Sequence, residues 1–271
     1  AGAHVIHGLV GLKNHAKMLL VVRREGDGVR KYAQLSTGNY HAANARVYTD
    51  LGLFTAEEEL TADVSDLFNE LTGSSQWPRG SYRRLLVAPH QLLAALLARV
   101  QREIAHARAG RGGRIRLKLN GISDIELINA LYDASEAGVD VDLIVRGLCL
   151  LRPGVPGLSE RIRVTSLVGR FLEHARIYHF ANGGDEEYLI GSADWRARNV
   201  RRRIEVVAPI VDPTCRRKLE QILERELNDA SAWLLRSDGR YERPEPVPTP
   251  GSEAQLLALA ETALAREAIV P

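Results

Sequence analysis

The 271-residue chain is poor in the features that staple, anchor or steer a protein. It has two cysteines, Cys149 and Cys215, in no C-x-x-C or zinc-type spacing. That excludes a disulfide framework and fits a reducing, cytoplasmic compartment, with both thiols serving as small buried hydrophobes. No apolar run approaches 18 residues, so no transmembrane helix is encoded. A formal net charge of +2 supplies no global field for nucleic acid or an anionic membrane surface. Lysine is scarce, at five residues against 31 arginines. Arg offers a planar fork suited to phosphate oxygens, although genome composition produces the same bias. No Walker-type loop exists: Gly110-Arg111-Gly112-Gly113 follows a helical stretch and no Lys-Ser/Thr follows it. His4 and His7 have no carboxylate or thiol cluster near them in sequence, so no metal site is expected within the chain. An initiating Met is also missing, and the opening Ala1-Gly2-Ala3-His4 leads directly into strand-like sequence, as in a piece of a longer protein.

What is present is an ordinary globular balance, 45% apolar and 26% charged, enough for a core and for roughly two domains of about 150 residues. Alternation and apolar periodicity predict strands over 5–9, 17–22, 29–35, 85–88, 114–119, 139–145, 161–167, 176–180, 188–190 and 204–209. Helices are expected over 57–71, 89–109, 124–136, 214–235 and 252–268. Alternating strands and helices argue for α/β layers. The Gly/Ser/Pro-rich stretch 72–80 is the best internal boundary, and prolines 244, 246, 248 and 250 read as a stiff linker. The resulting division is 1–80, 81–243, and a linker with a terminal helix over 244–271.

An internal repeat carries most of the functional argument. His15-Ala16-Lys17-Met18 recurs as His174-Ala175-Arg176-Ile177, 159 residues later. Ser36-Thr37-Gly38-Asn39-Tyr40 recurs as Gly191-Ser192-Ala193-Asp194-Trp195, 155 residues later, and Asn44 and Arg46 meet Asn199 and Arg201 at that second offset. The slip of four falls in a hairpin, where length changes are tolerated. The second copy has strands and helices before its His motif that the first copy lacks, so the first domain is expected to be truncated at its amino-terminal side.

On a strand, positions i and i+2 share a face, so His15 projects with Lys17 and His174 with Arg176. If the copies pack about a pseudo-twofold axis, both imidazoles converge on one cleft with a cation beside each. Such a cleft suits phosphorus chemistry. One imidazole attacks, the other manages a proton, and the cations neutralise non-bridging oxygens. Imidazole, with an unperturbed pKa of about 6.5, suits either role. Asn39 and Asp194 stand where they can orient these groups. The run Arg196, Arg198, Arg201, Arg202 and Arg203 could line a polyanion channel or form an ordinary ion-paired face.

The arrangement resembles the phospholipase D superfamily, whose motif is His-x-Lys-x4-Asp followed by Gly-Ser-x-Asn. The Asp positions are here Val22 and Ala181, and Arg176 replaces the second Lys. Within that superfamily the wording is closer to polyphosphate kinase of the first, long-chain-synthesising type. The resembling segments are Gly8-Leu9-Val10-Gly11-Leu12-Lys13-Asn14-His15-Ala16-Lys17, Thr37-Gly38-Asn39-Tyr40, Ala45-Arg46-Val47-Tyr48-Thr49-Asp50 and Leu143-Ile144-Val145-Arg146-Gly147. Three more are Leu172-Glu173-His174-Ala175-Arg176-Ile177-Tyr178, Ser192-Ala193-Asp194-Trp195 and Arg203-Ile204-Glu205-Val206. The likeness covers about residues 4 to 230.

The resemblance implies two phospholipase D-like α/β domains and reversible transfer of the ATP γ-phosphoryl group to inorganic polyphosphate. It implies that His15 is the phosphorylated nucleophile and His174 the second catalytic or nucleotide-contacting imidazole. Tyr48 and Arg146 match positions that contact ATP, and Mg²⁺ accompanies the nucleotide. The family's Mg²⁺-associated positions, amino-terminal nucleotide contacts and dimerisation domain would precede Ala1. The full-length enzyme is then a homo-oligomer, cytoplasmic with membrane association left open, and this piece alone is incomplete. Two other readings stay open from the residues: a phospholipase D-like phosphodiesterase, and a non-catalytic polyanion-binding module.

Overall fold

The computed structural model describes residues 2–73, 81–243 and 250–267. The first half holds β1 (Lys13–Asn14), β2 (Met18–Glu25), β3 (Gly28–Ser36), β4 (Tyr48–Thr49), β5 (Gly52–Thr55) and α1 (Glu58–Leu71). The second begins with β6 (Leu86–Ala88), α2 (Leu92–Arg108), β7 (Arg114–Leu119), α3 (Ile125–Glu136), β8 (Asp140–Val145) and β9 (Ile162–Ser166). It continues with β10 (Leu172–Glu173), β11 (Ile177–Phe180), β12 (Glu187–Gly191), α4 (Ala197–Arg202), β13 (Arg203–Ile210), α5 (Pro213–Leu227), β14 (Trp233–Leu235), β15 (Tyr241–Glu242) and α6 (Ser252–Glu267).

A ten-stranded mixed sheet in the order β1-β13-β12-β11-β7-β8-β9-β14-β15, with β6 also on β13, forms the frame. A three-stranded sheet β2-β3-β5 and the two-strand pair β4-β10 complete it. In β7, Ile115, Leu117 and Leu119 pack with Leu92, Leu96, Leu127 and Leu131 of α2 and α3. The opposite face is covered as well, by α5 through Leu219, Leu223 and Leu227 against Ile144, Ile177 and Ile190. Arg116 and Lys118 alternate with the apolar residues yet are buried, because both faces of this sheet are covered. Among the described residues no helix is long and apolar enough to cross a membrane.

Two expected elements differ. Residues 5–9 form no strand: Val5 and Ile6 are exposed, and Gly8 and Gly11 take φ of 84° and 82°, which breaks an extended run. Pairing starts instead at Lys13–Asn14. The helix expected over 214–235 starts at Pro213, where Asp212 accepts the Cys215 N–H at 2.8 Å, and stops at Leu227. Asn228 folds back to donate to the Glu224 carbonyl at 2.8 Å, and the chain re-enters the sheet as β14 against β9. Most of the boundary stretch 72–80 and of the proline stretch 244–250 lies outside the described residues.

One buried carboxylate joins the halves. Asp63 of α1 accepts the backbone N–H groups of Arg83 (2.9 Å), Arg84 (2.7 Å) and Leu85 (2.9 Å), plus the Arg83 guanidinium at 2.9 Å. Leu85 and Val87 then pack with Leu60, Val64 and Leu67 of α1. Asp63→Asn places a donor amide against these donors. It is expected to cost about 2–3 kcal/mol, read as a lower urea midpoint at unchanged slope.

Candidate active site

The repeat is built as a reciprocal exchange between the halves. Lys13 and Asn14 pair in parallel with Arg203 and Ile204, and the His15 N–H donates to the Ile204 carbonyl at 2.9 Å. Leu172 and Glu173 pair in parallel with Tyr48 and Thr49, and the His174 N–H donates to the Thr49 carbonyl at 3.2 Å. Each two-residue strand therefore sets a histidine beside the carboxylate that follows the paired residues of its partner strand. His15 Nδ1 lies 2.8 Å from Glu205 Oε2, and His174 Nδ1 lies 2.8 Å from Asp50 Oδ1. Asp50 and Glu205 stand 155 residues apart, the offset of the downstream repeat.

The hydroxyls of the downstream motif brace these carboxylates. Thr37 Oγ1 donates to Asp50 Oδ1 at 2.7 Å, and Ser192 Oγ donates to Glu205 Oε2 at 2.5 Å. Gly38 is required by the first of these. A Cβ at Gly38 would stand 2.1 Å from Asp50 Oδ2, so no larger residue fits beside the carboxylate. The repeat diverges at one point. Asn199 Nδ2 donates to Glu205 Oε1 at 2.6 Å, whereas its counterpart Asn44 is turned to His41 through its backbone N–H.

Because a carboxylate accepts at each Nδ1, that nitrogen carries the hydrogen and Nε2 keeps its lone pair. Lys17 and Arg176 play matching parts, although each precedes its strand rather than lying within it. Lys17 Nζ donates to the His15 carbonyl at 2.6 Å, and Arg176 donates to the His174 carbonyl at 2.7 Å. Arg176 also reaches Asp194 Oδ2 at 3.2 Å and, across the halves, the Thr37 carbonyl at 3.2 Å. Burial lowers Lys17 to a pKa of about 8; Glu205 and Asp50 oppose the shift, while Arg176 and Arg203 add to it. Burial also lowers His174, with Asp50 opposing and Arg176 and Lys17 adding, so this imidazole is neutral at pH 7. The two constellations thus share one electrostatic neighbourhood.

The remaining expected residues divide. The Tyr48 ring lies 5.2 Å from the His174 ring, and Arg146 donates to the Glu173 carbonyl at 2.9 Å. Asp194 is buried and accepts the Asn120 N–H at 2.7 Å, whereas Asn39 is exposed and its side chain has no hydrogen-bond partner among the described residues. Arg201 is taken up by Asp124 (2.9 Å) and Glu126 (2.7 Å) on an ion-paired face, while Arg198 and Arg202 are exposed. His179 is fully buried beside Arg116 and Tyr188, and burial lowers its pKa to about 3, so it acts as packing.

Residues 1–77 match the family described as polyphosphate kinase C-terminal domain 1, and residues 85–255 match polyphosphate kinase C-terminal domain 2. The chain belongs to the polyphosphate kinase family. It is 53% identical over 248 residues to a polyphosphate kinase of Thermosynechococcus vestitus, covering 91% of this chain and 34% of that protein. It is 52% identical over 244 residues to one of Streptomyces coelicolor, covering 90% and 32% respectively. The crystal structure of polyphosphate kinase from Porphyromonas gingivalis superposes with a TM-score of 0.87 at 40% identity, covering 94% of this chain and 40% of that one. The α/β architecture is therefore that of the family, and the chain spans about a third of the length of the curated relatives it matches.

Proposed function

We propose that this chain carries the phosphoryl-transfer centre of a polyphosphate kinase, moving the ATP γ-phosphoryl group reversibly to inorganic polyphosphate through a phosphohistidine at His15. The observation that carries the reading is the pair of imidazoles, each held through Nδ1 by a carboxylate from the opposite half. His15 Nε2 attacks the γ-phosphorus, an N–P bond forms, and the bond to the ADP oxygen breaks. A terminal oxygen of polyphosphate then attacks the same phosphorus and the N–P bond breaks. His174, neutral at pH 7, takes or returns the proton of that terminal phosphate. Lys17 and Arg176 neutralise the non-bridging oxygens, and Asp194 positions Arg176. Tyr48 and Arg146 contact the nucleotide, and Asn39 orients the groups of the first repeat. A phosphohistidine suits reversible transfer, because its transfer potential is comparable with that of a phosphoanhydride.

Mg²⁺ belongs to the nucleotide substrate in this scheme. Among the described residues no cluster of three or more His, Cys, Asp or Glu could hold a metal ion. The central carboxylates are already engaged: Asp50 and Glu205 by histidine and hydroxyl, Asp194 by Arg176 and a backbone N–H. The described residues therefore offer no ready set of ligands for a resident metal.

The test is phosphate labelling from ATP in the full-length enzyme. An alkali-stable, acid-labile phosphoryl group that is absent in His15→Ala supports the assignment. Labelling that persists in that variant rejects it.

A pH dependence follows from Lys17. Its ammonium is the form that attracts phosphate, and with a pKa of about 8 it is lost as pH rises through that value. Binding of phosphate chains at the histidines is expected to weaken by about tenfold per pH unit above 8, with proton uptake on binding. Calorimetry in buffers of different ionisation enthalpy measures both, and Lys17→Met removes the dependence.

A further inference from the structure

Between β9 and β10 the chain turns through Leu167 to Phe171, and this turn walls a cavity of about 290 Å³ that Tyr48 and Arg146 also line. Val168, Gly169 and Arg170 are exposed, so side-chain packing does little to hold the turn in place. Its two ends are fixed by hydrogen bonds. Ser166 Oγ donates to the Arg146 carbonyl at 3.1 Å, and the Leu172 N–H donates to the Val47 carbonyl at 2.8 Å as the β10–β4 pair opens. Between them, two successive N–H groups leave the sheet for a carboxylate on α6. Arg170 N–H donates to Glu253 Oε2 at 3.1 Å, and Phe171 N–H donates to Glu253 Oε1 at 2.7 Å.

The clamp is built from both sides. Asp229, just beyond α5, accepts the Ser252 N–H with Oδ2 at 2.6 Å, while its Oδ1 is held by the Ser231 N–H at 2.7 Å. Burial works against the Asp229 charge, but these donors hold its carboxyl below the ordinary value, so the first residue of α6 is tied to a stable anion. On the other side, Gly169 leaves room for the carboxylate. A Cβ there would stand 2.9 Å from Glu253 Oε2, and no positive φ demands glycine at this position, so the close approach does. Leu256 and Leu257, on the next turn of α6, line a larger cavity of about 420 Å³ together with Phe171 and Tyr48. A carboxylate that takes one N–H at each oxygen fixes the direction of two peptide planes, through bonds roughly twice as strong as neutral ones.

We propose that Glu253 is a positioning residue for the nucleotide, holding the Arg170 and Phe171 N–H groups so that the 167–171 turn keeps its place against Tyr48 and Arg146. The inference rests on the reading that Tyr48 and Arg146 contact ATP. Arg170 itself lines the cavity and has no carboxylate partner among the described residues, so the wall that Glu253 fixes carries a cation suited to a nucleotide's phosphates. Glu253 touches no reacting atom. Its effect therefore falls on how tightly ATP binds, and not on how fast bound ATP phosphorylates His15.

The test uses the full-length enzyme with ATP as the probe. Glu253→Gln turns an amide donor toward one of the two N–H groups, and should weaken ATP binding by about tenfold or more in calorimetry. Single-turnover labelling at saturating ATP should keep its rate, so that KM rises while kcat holds. Hydrogen exchange at the Arg170 and Phe171 amides should quicken by a similar factor, which reads the clamp without any assumption about the reaction. Gly169→Ala should weaken ATP in the unaltered protein and add nothing in Glu253→Ala, where no carboxylate is left to displace. Unchanged ATP affinity or unchanged amide exchange in Glu253→Gln would overturn the proposal. So would a labelling rate that falls as far as the affinity, or a Gly169→Ala loss that adds in full to that of Glu253→Ala. Tyr48→Ala, run alongside, separates the two readings. If it weakens ATP while Glu253→Gln does not, the positioning role alone fails; if neither variant weakens ATP, the placement of the nucleotide fails with it.

Discussion

Replacing Glu205 by Gln is expected to slow phosphoenzyme formation about 10³- to 10⁴-fold while leaving the KM for ATP nearly unchanged. Both carboxylate oxygens are filled by donors: Oε1 by Asn199, and Oε2 by Ser192 and His15. An amide can offer an oxygen on one side only. With its oxygen toward His15, its NH₂ meets the Asn199 NH₂. With its NH₂ toward His15, the imidazole must move its hydrogen to Nε2, which removes the nucleophile's lone pair. Asp50→Asn makes the contrast, because only Oδ1 of Asp50 has donors, from Thr37 and His174, and Oδ2 has none among the described residues. An Asn there keeps both contacts with its oxygen and leaves its NH₂ at the Oδ2 position beside Gly38. The expected loss is about tenfold or less. The acid limb of the pH–rate profile should also move to lower pH, because Asp50 is what raises His174 against burial. Single-turnover labelling of the two variants measures the difference, and equal losses would refute the asymmetry.

These two carboxylates also show how far the sequence could be read. The twin histidines, their cations and the Thr37/Ser192 segments were legible, because a repeat exposes itself through self-similarity at fixed offsets. The α/β layering followed from periodicity. Asp50 and Glu205 lay inside segments that resembled the family, at the repeat's own 155-residue offset, yet carried no role. Each serves a histidine in the other half, 124 and 190 residues away, and no local motif records a contact made between the halves. An acidic pair at the repeat offset was the available signal. The failed strand at 5–9 has the opposite cause: its apolar pattern is real, but positive-φ glycines at 8 and 11 interrupt it and no sheet edge receives it. In β7, alternation correctly separated the two faces but could not tell that α5 covers the charged one.

That covered face sets the second large effect. Lys118 is buried between Glu173, at 2.5 Å, and Glu226. Burial works against its ammonium, and the two carboxylates overcome that and raise its pKa. Glu173 also accepts from Thr49 Oγ1 at 2.8 Å, so the ion cluster clamps β10 to β4, the pairing that sets His174 beside Asp50. Lys118→Met leaves two carboxylates in the interior with no cation and is expected to cost about 3–5 kcal/mol at pH 7. Burial raises the Glu226 carboxyl above its unfolded value, and removing Lys118, which opposes that shift, raises it further. The folded state would then bind more protons, so the deficit should shrink as pH falls toward about 5. Urea midpoints at both pH values measure this. The double variant Lys118→Met, Glu226→Gln should recover part of the loss by removing one stranded charge. If Lys118→Met unfolds at the same midpoint as the unaltered protein at pH 7, the cluster is not what holds the His174 strand in place.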